Sequence, residues 1–271
     1  MNLAKCIYVS MRHLFDGEWQ VGLSILFATT LFFTGCNKEE NEKSEVRLVK
    51  KIEIFDDKGV TTITEYGYDK QNRITEIIGT AEDDTTVSSI ISYSAKNTMT
   101  YGDVTYILNS DGSITSMNIG DDYKLEYTYL NGYLQTQTTH GVSSIGDGPM
   151  IRYITEHKFT WEKGNIDSVV LEASYFEEPP YSLTTTFNIE YSIENKPSKV
   201  DFGRSYIGIP RGWYGKSTLN LPSKIIAKTE GYKETILTYR YETDEEGYPV
   251  KIFETIDNGE EVLRTVIEYK N

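Results

Sequence analysis

The side chains that most often carry enzyme chemistry are scarce in this sequence. It has three histidines, and the two beyond residue 35, His140 and His157, have no partner at the spacing that zinc sites use. No HExxH motif and no Gly-x-Ser-x-Gly motif occurs. His157 shares a predicted strand face with aromatic residues, so we expect a hydrogen-bonded core histidine, whereas His140 is expected in an exposed loop. The sequence therefore predicts no catalytic residue, no metal site and no cofactor.

Acidic side chains are abundant, and several occur in runs. The sequence has 41 Asp and Glu residues, with runs at residues 82–84, 121–122, 177–178 and 244–246. Because a glycosidase needs two carboxyl groups that face each other across a cleft, a polysaccharide-acting hydrolase is kept as an alternative. All four runs fall at predicted turns, where solvated loop charge explains them. None has the Asp-x-Asp-x-Asp spacing of a calcium loop.

Cys36 carries the clearest chemical signal in the sequence. It follows Thr34-Gly35 and an uncharged, mainly apolar run at residues 21–33. That run fits a signal-peptide core, whereas a membrane-spanning helix needs roughly 20 apolar residues. The pattern predicts that residues 1–35 are a lipoprotein signal peptide and that Cys36 is lipidated after cleavage. An uncleaved anchor or a short buried helix is the alternative interpretation.

The segment that follows Cys36 indicates where the protein is displayed. Residues 36–45 are polar and charged, so we expect a flexible tether between the lipid and the folded domain. Its Lys38-Glu39-Glu40 resembles the short signal that directs Bacteroidetes lipoproteins to the outside of the outer membrane. This resemblance implies display on the cell surface, with the periplasmic face of the outer membrane as the alternative.

Charge and cysteine content exclude several classes of function. The full chain has a net charge of −14, and residues 1–35 contain equal numbers of acidic and basic side chains, so the whole excess remains after cleavage. Nucleic acid is therefore not expected as a partner, since phosphate backbones bind Lys and Arg surfaces. Cys6 leaves with the signal peptide, so disulfides and thiol nucleophiles are excluded. The membrane is expected as a partner through the lipid anchor only.

Residues 46–271 form a single predicted β-domain that is built from one repeated pattern. An aromatic-x-aromatic group leads into a polar turn with Gly or Asn, and an apolar residue then opens a second short run. The copies lie at residues 66–77, 106–117, 127–137, 159–169, 189–200 and 239–252. The alternation predicts an all-β antiparallel meander of about 14–18 strands, which would curl into a barrel or near-barrel because so wide an open sheet leaves long unpaired edges.

The repeated pattern also carries a family resemblance. Residues 66–77, YGYDKQNRITEI, are similar to the bacterial tyrosine-aspartate repeat, with Asn72 in place of the usual Gly. Together with Cys36, the irregular hairpins resemble a family of Bacteroidetes lipoproteins of unknown function described as having a porin-like fold. The resemblance implies a barrel-like sheet and brings no catalytic residues. We do not expect the barrel to span the membrane, because Tyr and Thr are scattered through the strands where a spanning barrel has an outward apolar band.

Residues 201–224 break the hairpin pattern and contain the candidate ligand-binding residues. The segment has four glycines and two prolines, and it includes Tyr206, Arg211, Trp213 and Tyr214. Aromatic and guanidinium groups on an irregular loop are typical of a binding site for a glycan or a surface protein. A second interpretation stays open, in which the segment plugs the barrel and Trp213 closes the core.

These observations predict a lipid-anchored cell-envelope protein that acts as a non-enzymatic binding module for a glycan or a surface partner. One alternative is the hydrolase, with carboxylates at the mouth of the barrel. The other is a purely structural scaffold of the envelope, in which the aromatic segment contributes to stability alone.

Overall fold

The computed structural model describes residues 47–56, 59–94, 97–120, 123–144, 150–176, 180–192, 213–216 and 218–270, without the side chains of residues 60, 61, 143, 144 and 150. The predicted signal peptide and tether, residues 1–35 and 36–45, lie outside the described residues, and so do Tyr206 and Arg211. No helix in the described part of the chain is long and apolar enough to cross a membrane.

In the described part of the chain, sixteen strands form one antiparallel barrel. In chain order they are β1 Val49–Asp56, β2 Gly59–Tyr68, β3 Ile74–Ala81, β4 Thr86–Ser94, β5 Thr98–Tyr101, β6 Val104–Leu108, β7 Ile114–Ile119, β8 Tyr123–Leu130, β9 Tyr133–Ser144, β10 Met150–Glu162, β11 Asn165–Tyr175, β12 Tyr181–Tyr191, β13 Pro222–Thr229, β14 Thr235–Thr243, β15 Pro249–Ile256 and β16 Glu261–Tyr269. Each strand pairs with its neighbour in sequence, and β1 pairs with β16 to close the barrel. The predicted all-β meander curled into a barrel is confirmed.

The period-two alternation of the sequence separates the inside of the barrel from the outside. Ile114, Val169 and Phe187 point inward from different strands and are fully buried. Outward positions carry charges that pair across neighbouring strands, as in the ion pair of Lys158 with Glu172 at 2.9 Å. Such exposed pairs contribute at most about 1 kcal/mol each, so the apolar interior provides most of the stability.

A buried ion pair interrupts the apolar interior between β14 and β16. Glu254 is 2% exposed and accepts hydrogen bonds from Tyr239 Oη at 3.2 Å and from Arg264 Nε at 3.1 Å. The β15–β16 register shifts between Ile252 and Phe253, so Arg264 is the extra residue of a bulge. Bulges re-aim side chains, and this one brings the guanidinium to Glu254. The pairing matters because an uncompensated buried charge costs several kcal/mol.

The up-and-down order of the strands gives the barrel two distinct ends. Odd-numbered strands begin at one end of the barrel, and even-numbered strands finish there. We call it the plug end, because residues 213–216 and 218–221 lie across it. Both termini of the described chain, Arg47 and Lys270, are also at this end. The opposite end, which we call the far end, carries the turns at residues 82–85, 102–103, 230–234 and 257–260.

At the plug end, a ring of aromatic side chains ties the strands together in pairs. In seven of the eight hairpins that turn at the far end, an aromatic residue at or near the end of the even strand donates a hydrogen bond to a backbone carbonyl at the start of the odd strand. The seven donors, which we call the aromatic collar, are Tyr68 to Val49 (2.5 Å), Tyr93 to Ile74 (3.0 Å), Tyr129 to Ile114 (2.7 Å), Trp161 to Leu134 (2.7 Å), Tyr191 to Ile166 (2.9 Å), Tyr241 to Pro222 (2.8 Å) and Tyr269 to Pro249 (2.6 Å). The collar explains why the second aromatic residue of the repeat recurs.

Candidate functional site

A cavity of about 660 Å³ lies at the plug end, beside strands β1 to β6. Its walls come from the start of β1, from three successive turns and from the segment that crosses the barrel end. The lining residues are Arg47, Leu48, Val49, Tyr68, Gln71, Asn72, Arg73, Ile74, Tyr93, Ser94, Asn97, Thr98, Leu108, Asn109, Ser110, Asp111, Gly112 and Trp213. Aromatic, aliphatic, amide, hydroxyl, guanidinium and carboxylate groups therefore meet in one concave site.

The cavity lies where the aromatic collar is interrupted. Leu108 ends β6 at the position that Tyr or Trp occupies in the other hairpins, and it has no ring to reach across. The strands of this hairpin, β5 and β6, are also short, with 4 and 5 residues. A backbone hydrogen bond from Leu108 N to Asn97 O at 2.8 Å closes the pair. The missing ring and the short strands together leave space at this part of the barrel end.

Residues 213–216 and 218–221, which we call the plug, cover the neighbouring half of the barrel end. Ile114 N donates to Trp213 O at 2.6 Å, Lys216 N to Gly132 O at 2.7 Å, and Leu219 N to Gly164 O at 3.0 Å. These bonds attach the described part of the plug to the turns that precede β7, β9 and β11. The cavity lies in the other half of the barrel end, beside the plug and not beneath it.

Two of the four sequence-predicted ligand-binding residues lie in the plug, and both are buried. Trp213 is 6% exposed, and its ring centroid lies 6.4 Å from those of Tyr93 and Tyr106. Tyr214 is 3% exposed and packs on Tyr127 at 5.2 Å. Trp213 also forms a wall of the cavity, whereas Tyr214 does not line it. Contact of either residue with a ligand stays a prediction.

Arg73 presents a guanidinium group at the cavity. Its Nε donates to Asp69 Oδ2 at 2.8 Å, and its guanidinium carbon lies 4.5 Å from the centre of the Tyr93 ring. Although partial burial acts in the opposite direction, hydrogen bonds from Arg73 and Gln71 hold the pKa of Asp69 below its ordinary value. Burial raises the pKa of Tyr93 to about 12. Arg73, Tyr93 and Trp213 therefore follow one another along one wall, with Arg73 over the Tyr93 ring and the Trp213 ring at 66° to it.

Arg47 occupies the opposite side of the lining, where the described chain begins. It forms an ion pair with Asp244 at 2.7 Å and lies over the rings of Tyr248 and Tyr269, at 5.6 and 5.2 Å. The ion pair uses Nη1, which also lies 4.0 Å from Glu246 Oε2, and a guanidinium has five N–H donors in total. Arg47 is thus fixed in position and still has donors for a ligand.

Three amide side chains of the lining are uncommitted within the described part of the chain. Gln71, Asn72 and Asn97 make no side-chain hydrogen bond to any described residue. Asn72 and Asn97 have φ values of 61° and 53°, which Asn tolerates better than most residues. Asn72 thus adopts the left-handed conformation that a glycine would otherwise provide. Each amide offers both donors and acceptors to a polar ligand.

Groups that would support hydrolysis or metal binding do not converge among the described residues. Asp111 is the one carboxylate among the cavity residues, and no group of three or more His, Cys, Asp or Glu could hold a metal ion in the described chain. The acidic run at 82–84 lies at the far end and the run at 244–246 at the plug end, while the runs at 121–122 and 177–178 lie outside the described residues.

The two histidines lie far from the cavity lining. His157 is 1% exposed and faces Phe159, which confirms its expected position in the core. The hydrogen bond expected for it stays a prediction. His140 was expected in a loop, but β9 extends to Ser144 and places it on the outer wall, 3.7 Å from Glu126. The prediction of a loop was wrong because the alternation of small and β-branched residues continues beyond Thr139.

Sequence reasoning missed the cavity and most of its lining. The aromatic collar and the position of Leu108 could have been found by aligning the repeats, because Leu108 stands where the other copies have Tyr or Trp. Arg73 and Asn97 could not have been chosen over other turn residues, since their roles depend on which turns become neighbours at the barrel end.

Comparisons with known proteins support the fold. No protein-family model matches the sequence, and no curated protein matches it significantly. Crystal structures with similar folds include two porin-like proteins. A porin-like protein from Bacteroides vulgatus has a TM-score of 0.59 at 13% identity, over 83% of this chain and 99% of that one. A porin-like protein from Bacteroides uniformis has a TM-score of 0.55 at 17% identity, over 82% and 96% of the two chains.

Proposed function

We propose that this chain is a lipid-anchored cell-envelope protein that binds a glycan in the cavity at the plug end of its barrel. The observation that carries the proposal is the lining of that cavity, where Trp213 and Tyr93 lie beside uncommitted amides and two guanidinium groups. The anchor is the lipid on Cys36, and residues 36–45 form the tether. The outer membrane is its location, with the cell surface preferred over the periplasmic face.

The chemistry of a sugar matches this lining. A pyranose ring has apolar C–H faces that pack on aromatic rings, and its rim carries hydroxyl groups that both donate and accept hydrogen bonds. Gln71, Asn72 and Asn97 offer donors and acceptors, and the guanidinium of Arg73 offers further donors. A fully apolar ligand would leave these amides without partners, which costs free energy on burial.

The charged outer wall supports a barrel that stands in water and is held to the membrane by its lipid. Lys158, Glu172 and Lys224 project outward from the strands and pair across them. A lipid-facing wall would have to bury such charges at several kcal/mol each near the bilayer centre. Anchoring through two or three acyl chains at Cys36 gives stable membrane attachment without this cost.

The proposal is tested by a glycan array probed with the soluble fragment 46–271, followed by calorimetric titration of any glycan retained. This fragment contains every strand, since the strands lie between residues 49 and 269. We expect Arg73→Met to weaken binding by about 1–3 kcal/mol through loss of a charged hydrogen bond.

Arg240→Met is the matched control for Arg73→Met. Arg240 also forms a bidentate ion pair, with Glu261, and also lies over a ring, that of Phe253, but on the outer wall. Binding that is lost equally in both variants would contradict a site in the cavity. An empty array together with an empty pull-down from envelope extracts would remove the binding module altogether.

A structural scaffold is the second candidate, and the burial of Trp213 and Tyr214 in the plug favours it. In that case the plug would stabilise the barrel without serving a ligand. Trp213→Ala would then lower the melting temperature, while no glycan or protein would bind the parent chain. The hydrolase has weaker support, since Asp111 has no second carboxylate among the cavity residues.

A further inference from the structure

We infer that the plug end of the barrel is a membrane-facing surface, and that its partner is the headgroup layer of the bilayer. The inference rests on the proposed lipid anchor at Cys36 and adds the orientation of the barrel to it. Three separate features of the described residues support it: the place where the chain enters the barrel, the basic side chains over tyrosine rings at the plug end, and the unequal charge of the two ends.

The chain enters the barrel at the plug end, a short distance from the lipid. Arg47 lines the cavity and lies eleven positions after Cys36. A flexible tether of that length has an end-to-end distance of about 20 Å. Strands of 8 to 13 residues, such as β1 and β10, make the tilted barrel wall roughly 25 Å tall. The plug end is therefore held near the bilayer, and the far end lies about 25 Å further out.

Basic side chains lie over tyrosine rings around the plug end. Lys270 Nζ is 5.5 Å from the ring centre of Tyr68, and Lys216 Nζ is 4.9 Å from that of Tyr133. Arg73 over Tyr93, and Arg47 over Tyr248 and Tyr269, repeat the arrangement. Tyr and Trp rings together with Lys and Arg are the residues that proteins place at the level of lipid headgroups, where the ring meets the apolar boundary and the cation meets phosphate.

The two ends of the barrel differ in charge. Outside the strands, the described residues of the plug end have six basic and five acidic side chains, whereas those of the far end have one basic and eight acidic side chains. A membrane leaflet that contains anionic groups attracts basic residues and repels carboxylates. The far end is therefore the end that an anionic membrane would push away.

This orientation narrows the class of ligand for the cavity. With the plug end against the bilayer, the residues around Trp213 and Arg73 meet the sugar headgroups of membrane lipids before they meet free polysaccharide. The glycan of the proposed function is then one that is attached to a lipid.

The orientation is tested with two single-cysteine variants of the full lipidated chain, since Cys36 is the only other cysteine after cleavage. Lys70→Cys and Glu82→Cys place a thiol at exposed turns that flank opposite ends of β3. The protein is added to preformed vesicles of phosphatidylethanolamine and phosphatidylglycerol, and the labelling rate of each thiol by a bulky maleimide is measured, with detergent-solubilised protein as the control.

We expect labelling on vesicles to be several-fold slower at Lys70→Cys than at Glu82→Cys, and the two rates to become equal in detergent. Equal rates on vesicles, or slower labelling at Glu82→Cys, would overturn the orientation while leaving the anchor intact. A chain that does not float with the vesicles would instead remove the anchor, and the orientation with it. Glycan binding by the soluble fragment is measured separately. A failure of the proposed glycan binding is therefore distinguishable from a failure of the orientation and from a failure of the anchor.

Discussion

At the scale of single residues, the phenol hydroxyl is the group that this fold uses most consistently. In six hairpins a tyrosine Oη, and in a seventh the indole N–H of Trp161, donates to a carbonyl of the neighbouring strand. Each bond joins the end of one strand to the beginning of the strand before it. The hydroxyls therefore hold the plug end together at the places where the turns expose backbone carbonyl groups.

Removal of one collar hydroxyl should measurably destabilise the barrel. Tyr241 is 9% exposed and its Oη donates to Pro222 O at 2.8 Å. Tyr241→Phe keeps the ring and leaves the carbonyl without this partner, so we expect a loss of about 1–2 kcal/mol in the free energy of unfolding. Urea denaturation measures it. Tyr232→Phe is the control, because Tyr232 is 44% exposed at the far end, and an equal loss there would contradict a specific role for the collar.

The turn aspartates predict how stability depends on pH. Hydrogen bonds from the Ser113 hydroxyl and backbone lower the pKa of Asp111 below its ordinary value of 3.8. The stabilisation that this carboxylate contributes is therefore present above that value and is lost as pH falls through the lower folded-state pKa. Asp111→Asn should reduce the drop in melting temperature on acidification. Glu82→Gln, at an exposed far-end turn, should leave that drop unchanged, and an unchanged drop in Asp111→Asn would refute the assignment.

At the scale of elements, the plug is fixed by backbone contacts with turns that contain glycine. Lys216 N bonds to Gly132 O, and Leu219 N bonds to Gly164 O. A Cβ on Gly164 would lie 2.6 Å from Leu219 Cδ1, and one on Gly132 would lie 3.2 Å from Lys216 Cε, so these plug side chains would have to move. Small residues in the turns thus allow the plug to lie directly on the barrel end.

Gly215→Ala should displace the plug. Gly215 has a φ of 77°, and an added Cβ would overlap Gly132 O. The left-handed conformation and the overlap together should cost at least about 2 kcal/mol of unfolding free energy. Gly231→Ala is the control, since its φ is 80° and its Cβ would meet open space, so only about 1–2 kcal/mol is expected. Equal losses in the two variants would show that the plug contact contributes nothing.

The elements were predictable from local patterns, and the candidate site was not. Period-two alternation predicts strands such as β8 and β12, because each strand buries one of its two faces. This pattern does not depend on which strands are its neighbours. One wall of the cavity is formed by Tyr93, Arg73 and Trp213. Trp213 is far from the other two residues in sequence, so it can be placed beside them only when the barrel closes. The four predicted binding residues follow from composition alone. Of the two that the structure describes, Trp213 lines the cavity and Tyr214 does not.

At the scale of the whole molecule, closure of the sheet decides both stability and the site. Pairing of β1 with β16 joins Ile52 to Ile267 and leaves no strand edge in the ring. A closed ring also gives every turn at one end a fixed neighbour. The turns after β2, β4 and β6 thus meet Arg47 around one cavity, and the shorter β5–β6 hairpin leaves it open.

Restoring the missing collar residue should close the cavity. Leu108→Tyr adds a ring at the interruption, where the cavity provides space for it. We expect the melting temperature to stay the same or rise, because the other hairpins accept an aromatic residue at this position, and we expect glycan binding to be lost. Leu130→Tyr is the control, since Leu130 is 61% exposed at the end of β8. Undiminished binding by Leu108→Tyr would place the ligand elsewhere.

The most direct test of the central claim, that the plug-end cavity binds the ligand, is the fluorescence of Trp213. The sequence has three tryptophans, Trp19 in the predicted signal peptide, Trp161 and Trp213, so Trp161→Phe in the fragment 46–271 leaves Trp213 as the sole tryptophan. Titration with a glycan retained on the array should give a saturable change in its emission, with the dissociation constant found by calorimetry. Binding by calorimetry with unchanged Trp213 emission would contradict the claim.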